Sequence, residues 1–160
     1  MKEQTFPGDT ILVSKTDLQG KITYANQIFI NIAGYTEKEL IGKPHSIIRH
    51  PDMPKIIFKL LWDTIQNGEE INAYVINQSK NGDYYWVFAN VIASLDVQDK
   101  TLGYHSTRHK PSKEAIDIIK PLYKKLLEVE KSSGVDASLK VLQSILKEKG
   151  VTYDEFILSI

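Results

Sequence analysis

Asn81-Gly82 lies between two runs of strand-forming residues, Ile71 to Gln78 and Tyr84 to Leu95, and this arrangement limits the fold more than any other feature. An Asn-Gly pair suits a two-residue type I′ turn, which needs positive φ at both positions, so the runs are expected to pair as an antiparallel hairpin. The second run begins Tyr84-Tyr85-Trp86-Val87-Phe88-Ala89-Asn90-Val91, apolar at odd and even positions alike. Successive strand side chains point to opposite faces, so both faces of this sheet need covering. A ligand on one side and a partner on the other would do so.

The 160 residues, 42% of them hydrophobic, suffice for one domain with a substantial core and a short appendage. Twenty basic and twenty acidic side chains cancel, so no overall field favours nucleic acid or an anionic membrane, and neither is an expected partner. The absence of cysteine excludes disulfides, thiolate nucleophiles, cysteine-held iron-sulfur clusters and c-type haem attachment. No stretch approaches the ~20 apolar residues of a membrane span. The N-terminus lacks the apolar core of a secretory signal. A cytoplasmic protein without direct membrane insertion is expected.

After a polar lead-in over residues 1–10, Ile11 to Ser14 and Ile22 to Ala25 form expected strands around a turn at Asp17 to Gly20. Asn26 suits the cap of a helix from Gln27 to a stop at Gly34, and Thr36-x-x-Glu39 is a capping box ended by Gly42. Three prolines make Pro44 to Pro54 irregular, after which Lys55 to Gln66 places Ile57, Phe58, Leu61, Trp62 and Ile65 on one side of a helix. The hairpin follows, then a fifth strand from Thr101 to Arg108. Two strands, short helices and three strands predict an α+β domain over residues 11–110, with a five-stranded antiparallel sheet and helices on one face. Ser112 should cap a linker helix over 111–131, interrupted or restarted at Pro121. Asp136 should cap the first helix of a small tail over 135–160, with Leu139, Leu142, Ile145 and Leu146 inward and packing within the chain as the default.

The segments Asp17 to Asn26 and Ala33-Gly34-Tyr35-Thr36-x-x-Glu39-Leu40-Ile41-Gly42 resemble the entry of PAS sensory domains. More specific are Pro44-His45-x-x-x-Arg49-His50-Pro51-Asp52-Met53-Pro54, then Trp62, then Lys80-Asn81-Gly82-Asp83-Tyr84-Tyr85-Trp86-Val87. This combination resembles the PAS domain of bacterial aerotaxis receptors over residues 10–125. The resemblance implies a PAS fold and bound FAD (FMN or haem in its place being the lesser alternatives). It also implies a site drawn from Asn26, Arg49, His50, Asp52, Trp62, Asn77 and His105. With no glycine-rich phosphate loop, paired-His metal motif or Ser-His-Asp set in a recognisable setting, no enzymatic turnover is expected.

Arg49 offers a rigid fork of donors to a pyrophosphate or ribityl oxygen, the alternative being a salt-bridged loop. Asp52 suits either the cap of the following helix or a pair with Arg49. His50 is a flavin-site residue by the resemblance, and His45 and His50 are the histidines that haem ligation would use. Asn77 matches the position at which flavin-binding relatives hydrogen-bond the pyrimidine edge of the ring. With Asn77 inward, alternation turns Ala73 and Val75 inward as well. The resemblance implies that Val87, Ala89 and Val91 share that face across the hairpin, leaving Tyr74, Trp86, Phe88, Asn90 and Tyr104 to face outward. His105 falls where light-sensing relatives carry a Gln near the ring, and an imidazole there could respond to flavin protonation. The alternative for His105 is a partly exposed strand residue. Trp62 suits either stacking on the ligand or core packing. His45 lies near the place of the cysteine those light sensors need, so adduct chemistry is excluded.

The expected function is a cytoplasmic redox or energy sensor signalling to a membrane chemoreceptor that lacks its own PAS domain. The outward face, too apolar to be bare, would be covered by residues 1–10, a second copy or a receptor linker, with a homodimer through that face or the N-terminal cap as one arrangement. A ligand-free interaction module and a haem-based gas sensor are the alternatives.

Overall fold

A computed structural model describes residues 1–160. Strands β1 (Leu12–Thr16), β2 (Ile22–Ala25), β3 (Ile71–Gln78), β4 (Tyr84–Leu95) and β5 (Thr101–His109) form one sheet in the order β2-β1-β5-β4-β3. Every neighbouring pair is antiparallel. Between β2 and β3 come helices α1 (Gln27–Ala33), α2 (Glu37–Leu40) and α3 (Lys55–Gln66), with a 3-10 turn at His45–Ile48. The start signals act as their chemistry requires. The Asn26 carboxamide oxygen accepts from the Phe29 N–H, and Thr36 and Glu39 close a reciprocal capping box.

The central hairpin forms with the expected register, Gln78 opposite Tyr84 and Asn77 opposite Tyr85, but its turn differs. Only Gly82 has positive φ; Asn81 does not. The Gly82 N–H donates to the Ser79 carbonyl and the Ser79 N–H to Asp83, making a three-residue loop with glycine in the left-handed position. Asn81 Oδ1 instead accepts from the Asp83 N–H at 3.0 Å, so its side chain stabilises the loop without a left-handed backbone.

The turn between β4 and β5 decides which side chains face inward. An irregularity between Ser94 and Leu95 offsets the pairing, so odd residues of β4 oppose even residues of β5: Ala89 opposite Arg108, Val91 opposite Ser106, Ala93 opposite Tyr104. The inward set of β5 is therefore Tyr104, Ser106 and Arg108. Tyr104 does not face outward as expected, and His105 points to the outer side between Ile92 and Lys15. Near that turn β1 and β5 approach so closely that a Cβ on Gly103 would collide with the Thr16 carbonyl oxygen. Gly103→Ala is expected to lower the urea unfolding free energy by about 1–3 kcal/mol through enforced strand separation.

Beyond the sheet, α4 (Lys113–Ser133), α5 (Val135–Lys149) and α6 (Tyr153–Ser159) fold back on the domain. Pro121 lies inside α4 and does not interrupt it. Pro121 and Asp117, whose carbonyl loses its helical partner, are both exposed, so water can satisfy that group. Burial of Ala115, Ile116, Ile119, Tyr123 and Leu126 on the other side keeps the helix continuous through it. Gly134, not Asp136, occupies the cap of α5, and Asp136 sits in its first turn, where a carboxylate still complements the helix dipole.

The outer face of β3 and β4 is covered by α4 and α6 of the chain itself, with residues 3–6 beside Trp86. Trp86 packs on Tyr123 of α4 with ring centroids 5.9 Å apart, the Tyr123 hydroxyl donates to the Tyr74 carbonyl, and α6 packs on β3. Residues 2–4 pair beside the start of β4, beyond the end of β5, and the Phe6 ring meets Tyr85 edge-on at 6.4 Å. No helix is long and apolar enough to cross a membrane.

Candidate functional site

Between the inner sheet face and the α1–α3 layer lies a cavity of about 290 Å³. Val75 and Asn77 of β3, Ala89 and Val91 of β4, and Tyr104, Ser106 and Arg108 of β5 form its sheet wall. The facing wall is α3, through Phe58, Leu61, Trp62 and Ile65, and the Pro44–Arg49 segment lines the rest. The small residues Ala73 and Ala89 sit opposite each other on this face, which leaves room for a flat ligand. Trp62 packs against Tyr104 with centroids 5.5 Å apart while still lining the cavity, so it is both wall and core.

Asn77 is only 4% exposed, and its Nδ2 has no hydrogen-bond partner. An unpaired buried amide costs about 1–3 kcal/mol, and a donor left free on a cavity wall invites an acceptor from a ligand. Arg49 joins it: its backbone bridges Asn77, and its guanidinium, exposed at the cavity mouth, stacks on Phe58 at 3.9 Å. Arg49 makes no ion pair with Asp52.

Three expected site residues lie elsewhere, and His105, on the outer face, is a fourth. Asn26 is consumed structurally: Oδ1 accepts from Val13 and Phe29, and Nδ2 donates to the Ile11 carbonyl. A turn closed from the Met53 N–H to the His50 carbonyl carries the next two away. His50 packs its ring on Tyr84 at 5.5 Å and accepts the Asp52 N–H on Nδ1, outside the cavity. Asp52 is exposed, neither capping α3 nor reaching Arg49, and its carboxylate stands 4.0 Å from His50. The N-terminus of α3 is served instead by Glu130 of α4, whose Oε1 accepts the Lys55 N–H at 2.6 Å, so the cavity's helical wall is tied to the outer helical layer.

Sequence reasoning missed the polar floor. Arg108 is 2% exposed, donates to Ser14 Oγ at 2.7 Å, lies 3.4 Å from His45 Nε2, and has its guanidinium 4.3 Å over the Phe29 ring. Arg108 can only donate and also faces His45 Nε2, which fits an unprotonated Nε2 that accepts a hydrogen bond from the Ser14 hydroxyl at 2.9 Å. Burial and then the Arg108 charge press His45 down to about 3, although the ring is reachable through the cavity. Burial also lowers Arg108 to about 10 and raises Tyr85, each partly offset by the other. A lone arginine in a strand carries no sequence mark of burial, since most arginines are exposed; only its phase with Tyr104 and Ser106 could have shown it.

The depressed His45 has a measurable consequence. Unfolded, it gains its proton near pH 6.5; folded, only near pH 3, so between these values the unfolded state binds more protons. Stability from this group is full above pH 6.5 and falls with pH by up to about 1.4 kcal/mol per unit. Urea midpoints from pH 7.5 to 5 are expected to fall in the wild type and to flatten in His45→Gln.

An antiparallel sheet of this order, with a polar-floored cavity under short helices, defines a pocket-bearing domain of the α+β class. The PAS fold family model matches residues 22–108, and the chain belongs to that family. It is 48% identical over 118 residues to the aerotaxis receptor of Escherichia coli (strain K12), covering 74% of this chain and 23% of the receptor. It is 26% identical over 95 residues to the nitrogen fixation regulatory protein of Klebsiella pneumoniae, covering 59% of this chain and 19% of that protein. The chain therefore spans less than a quarter of either relative. Among solved structures, a light-oxygen-voltage domain from a flavin-analogue study superposes with a TM-score of 0.59 at 21% identity, covering 72% of this chain and 86% of the other.

Proposed function

We propose that this PAS domain is a flavin-based redox or energy sensor in the cytoplasm that carries FAD in the sheet-side cavity and signals by contact with a membrane chemoreceptor. The carrying observation is Asn77, whose buried Nδ2 is unpaired on the wall of a cavity otherwise shaped by Trp62, Phe58 and small residues. A flavin supplies reversible electron uptake when bound. Asn77 would donate to a carbonyl on the ring, Trp62 and Phe58 would flank it, and Arg49 at the mouth would hold the phosphates of the dinucleotide. The high identity to an aerotaxis receptor supports a chemoreceptor as the partner.

The haem alternative is disfavoured by the histidines themselves. His45 Nε2 is engaged by Ser14 and faces the Arg108 cation, His50 lies outside the cavity, and His105 is on the outer face. Equilibrium dialysis of ligand-stripped protein against FAD, FMN and haem tests the reading. Retention of FAD in preference to the other two is expected; equal FMN retention would remove the role of Arg49, and haem retention alone would overturn the flavin assignment.

A further inference from the structure

The cavity holds two guanidinium groups, Arg49 and Arg108, and no carboxylate lines it. Arg49 stacks on Phe58 but is exposed as a residue, so solvent can supply its counterions. Arg108 is different: it is sealed in the floor, its acceptors Ser14 and His45 are neutral, and no acidic side chain pairs with it. Its Nε has no partner, and neither has the hydroxyl of Tyr85. Buried cations are normally paired, because an isolated charge in a low-dielectric setting is costly. Together with Asn77 Nδ2, the inner face presents unpaired donors around one permanent positive charge.

We propose that Arg108 is a charge-sensing residue of the ligand site: it favours a bound flat-ring ligand in a negatively charged, reduced form. This inference rests on the flavin reading above. A flavin ring that takes two electrons and one proton from a diffusible two-electron donor keeps one negative charge, whereas the oxidised ring is neutral. A fixed cation on the cavity wall therefore stabilises the reduced ligand over the oxidised one. Ser14 and His45 act as positioning residues, holding the guanidinium while adding no charge of their own. The same arrangement makes the empty protein carry an uncompensated charge that ligand reduction neutralises.

The test is a redox titration of flavin-loaded wild type, Arg108→Met, Arg108→Gln and Arg108→Lys with dithionite and a reference dye, alongside thermal melts of the ligand-stripped proteins. Arg108→Met and Arg108→Gln are expected to weaken reduced over oxidised flavin binding at least tenfold, a fall of about 30 mV for a two-electron couple. Arg108→Lys, which keeps the charge, should stay within threefold of the wild type. Stripped Arg108→Met should melt no lower than the wild type. Flavin uptake by all four proteins with equal potentials would overturn the role of Arg108 alone, as would an Arg108→Met protein that is unfolded when empty, because Arg108 would then be a structural strut. Stabilisation of the stripped wild type, but not Arg108→Met, by chloride or inorganic phosphate at millimolar concentration would assign the charge to a free anion and overturn the proposal. Failure of every protein to take up flavin would overturn both the proposal and the flavin reading.

Discussion

Asn77→Leu is expected to weaken flavin binding about tenfold to a hundredfold while leaving the empty protein as stable as before or more so. In the empty protein the Nδ2 donor is buried without a partner, so replacing it by an apolar side chain of similar size removes a cost of about 1–3 kcal/mol. With ligand bound, the same replacement leaves a buried acceptor on the ligand unpaired, and each 1.4 kcal/mol lost is tenfold in affinity. Opposite signs in the two states separate a binding residue from a structural one. Quenching of flavin fluorescence on titration, with urea unfolding of the stripped protein, measures both. A variant that binds as the wild type does, or one that loses stability without ligand, would contradict the placement of Asn77 at the ligand.

Tyr123→Ala should cost about 3–5 kcal/mol of folding stability, the usual loss for a large buried aromatic side chain. Tyr123 is buried between α4 and the outer sheet face, its ring lies against Trp86, and its hydroxyl serves the Tyr74 carbonyl. Against the ~5–15 kcal/mol total of an ordinary domain this is a large fraction. Tyr123→Phe, which removes only the hydroxyl, should cost about 1 kcal/mol. A small loss in Tyr123→Ala would mean that the outer helices contribute little to the fold and that some other surface covers Tyr74, Ile76 and Trp86.

Much of the fold was legible because local chemistry and tertiary structure agree. The caps at Asn26, Thr36 and Ser112 depend only on residues within a turn, and each forms. The inward set of β3 followed from alternation around Asn77 and that of β4 from the resemblance, and the register of the hairpin places both on one face. Alternation could not be carried into β5, because the offset at Ser94 and Leu95 is an irregularity in the strand pairing beside the turn, which no local pattern specifies; one residue of slip exchanged Tyr104 and His105. Pro121 misled for a related reason: propensity says break, but burial on the far side of α4 outweighs one lost hydrogen bond.

Of the expected site residues, Asn77, Trp62 and Arg49 line the cavity, whereas Asn26, His50, Asp52 and His105 do not. Short loops turn adjacent residues in different directions, so Arg49 reaches the cavity while His50, its neighbour, packs on Tyr84. The floor of Arg108, Ser14 and His45 joins residues from three distant segments. No spacing in the chain marks such a cluster; only the folded sheet assembles it.

The most direct measurement is the absorption spectrum of the purified protein, with mass identification of whatever denaturation releases. A yellow protein with bands in the near ultraviolet and blue, releasing FAD, is the predicted result. A folded, colourless protein that also takes up no added FAD would contradict the account.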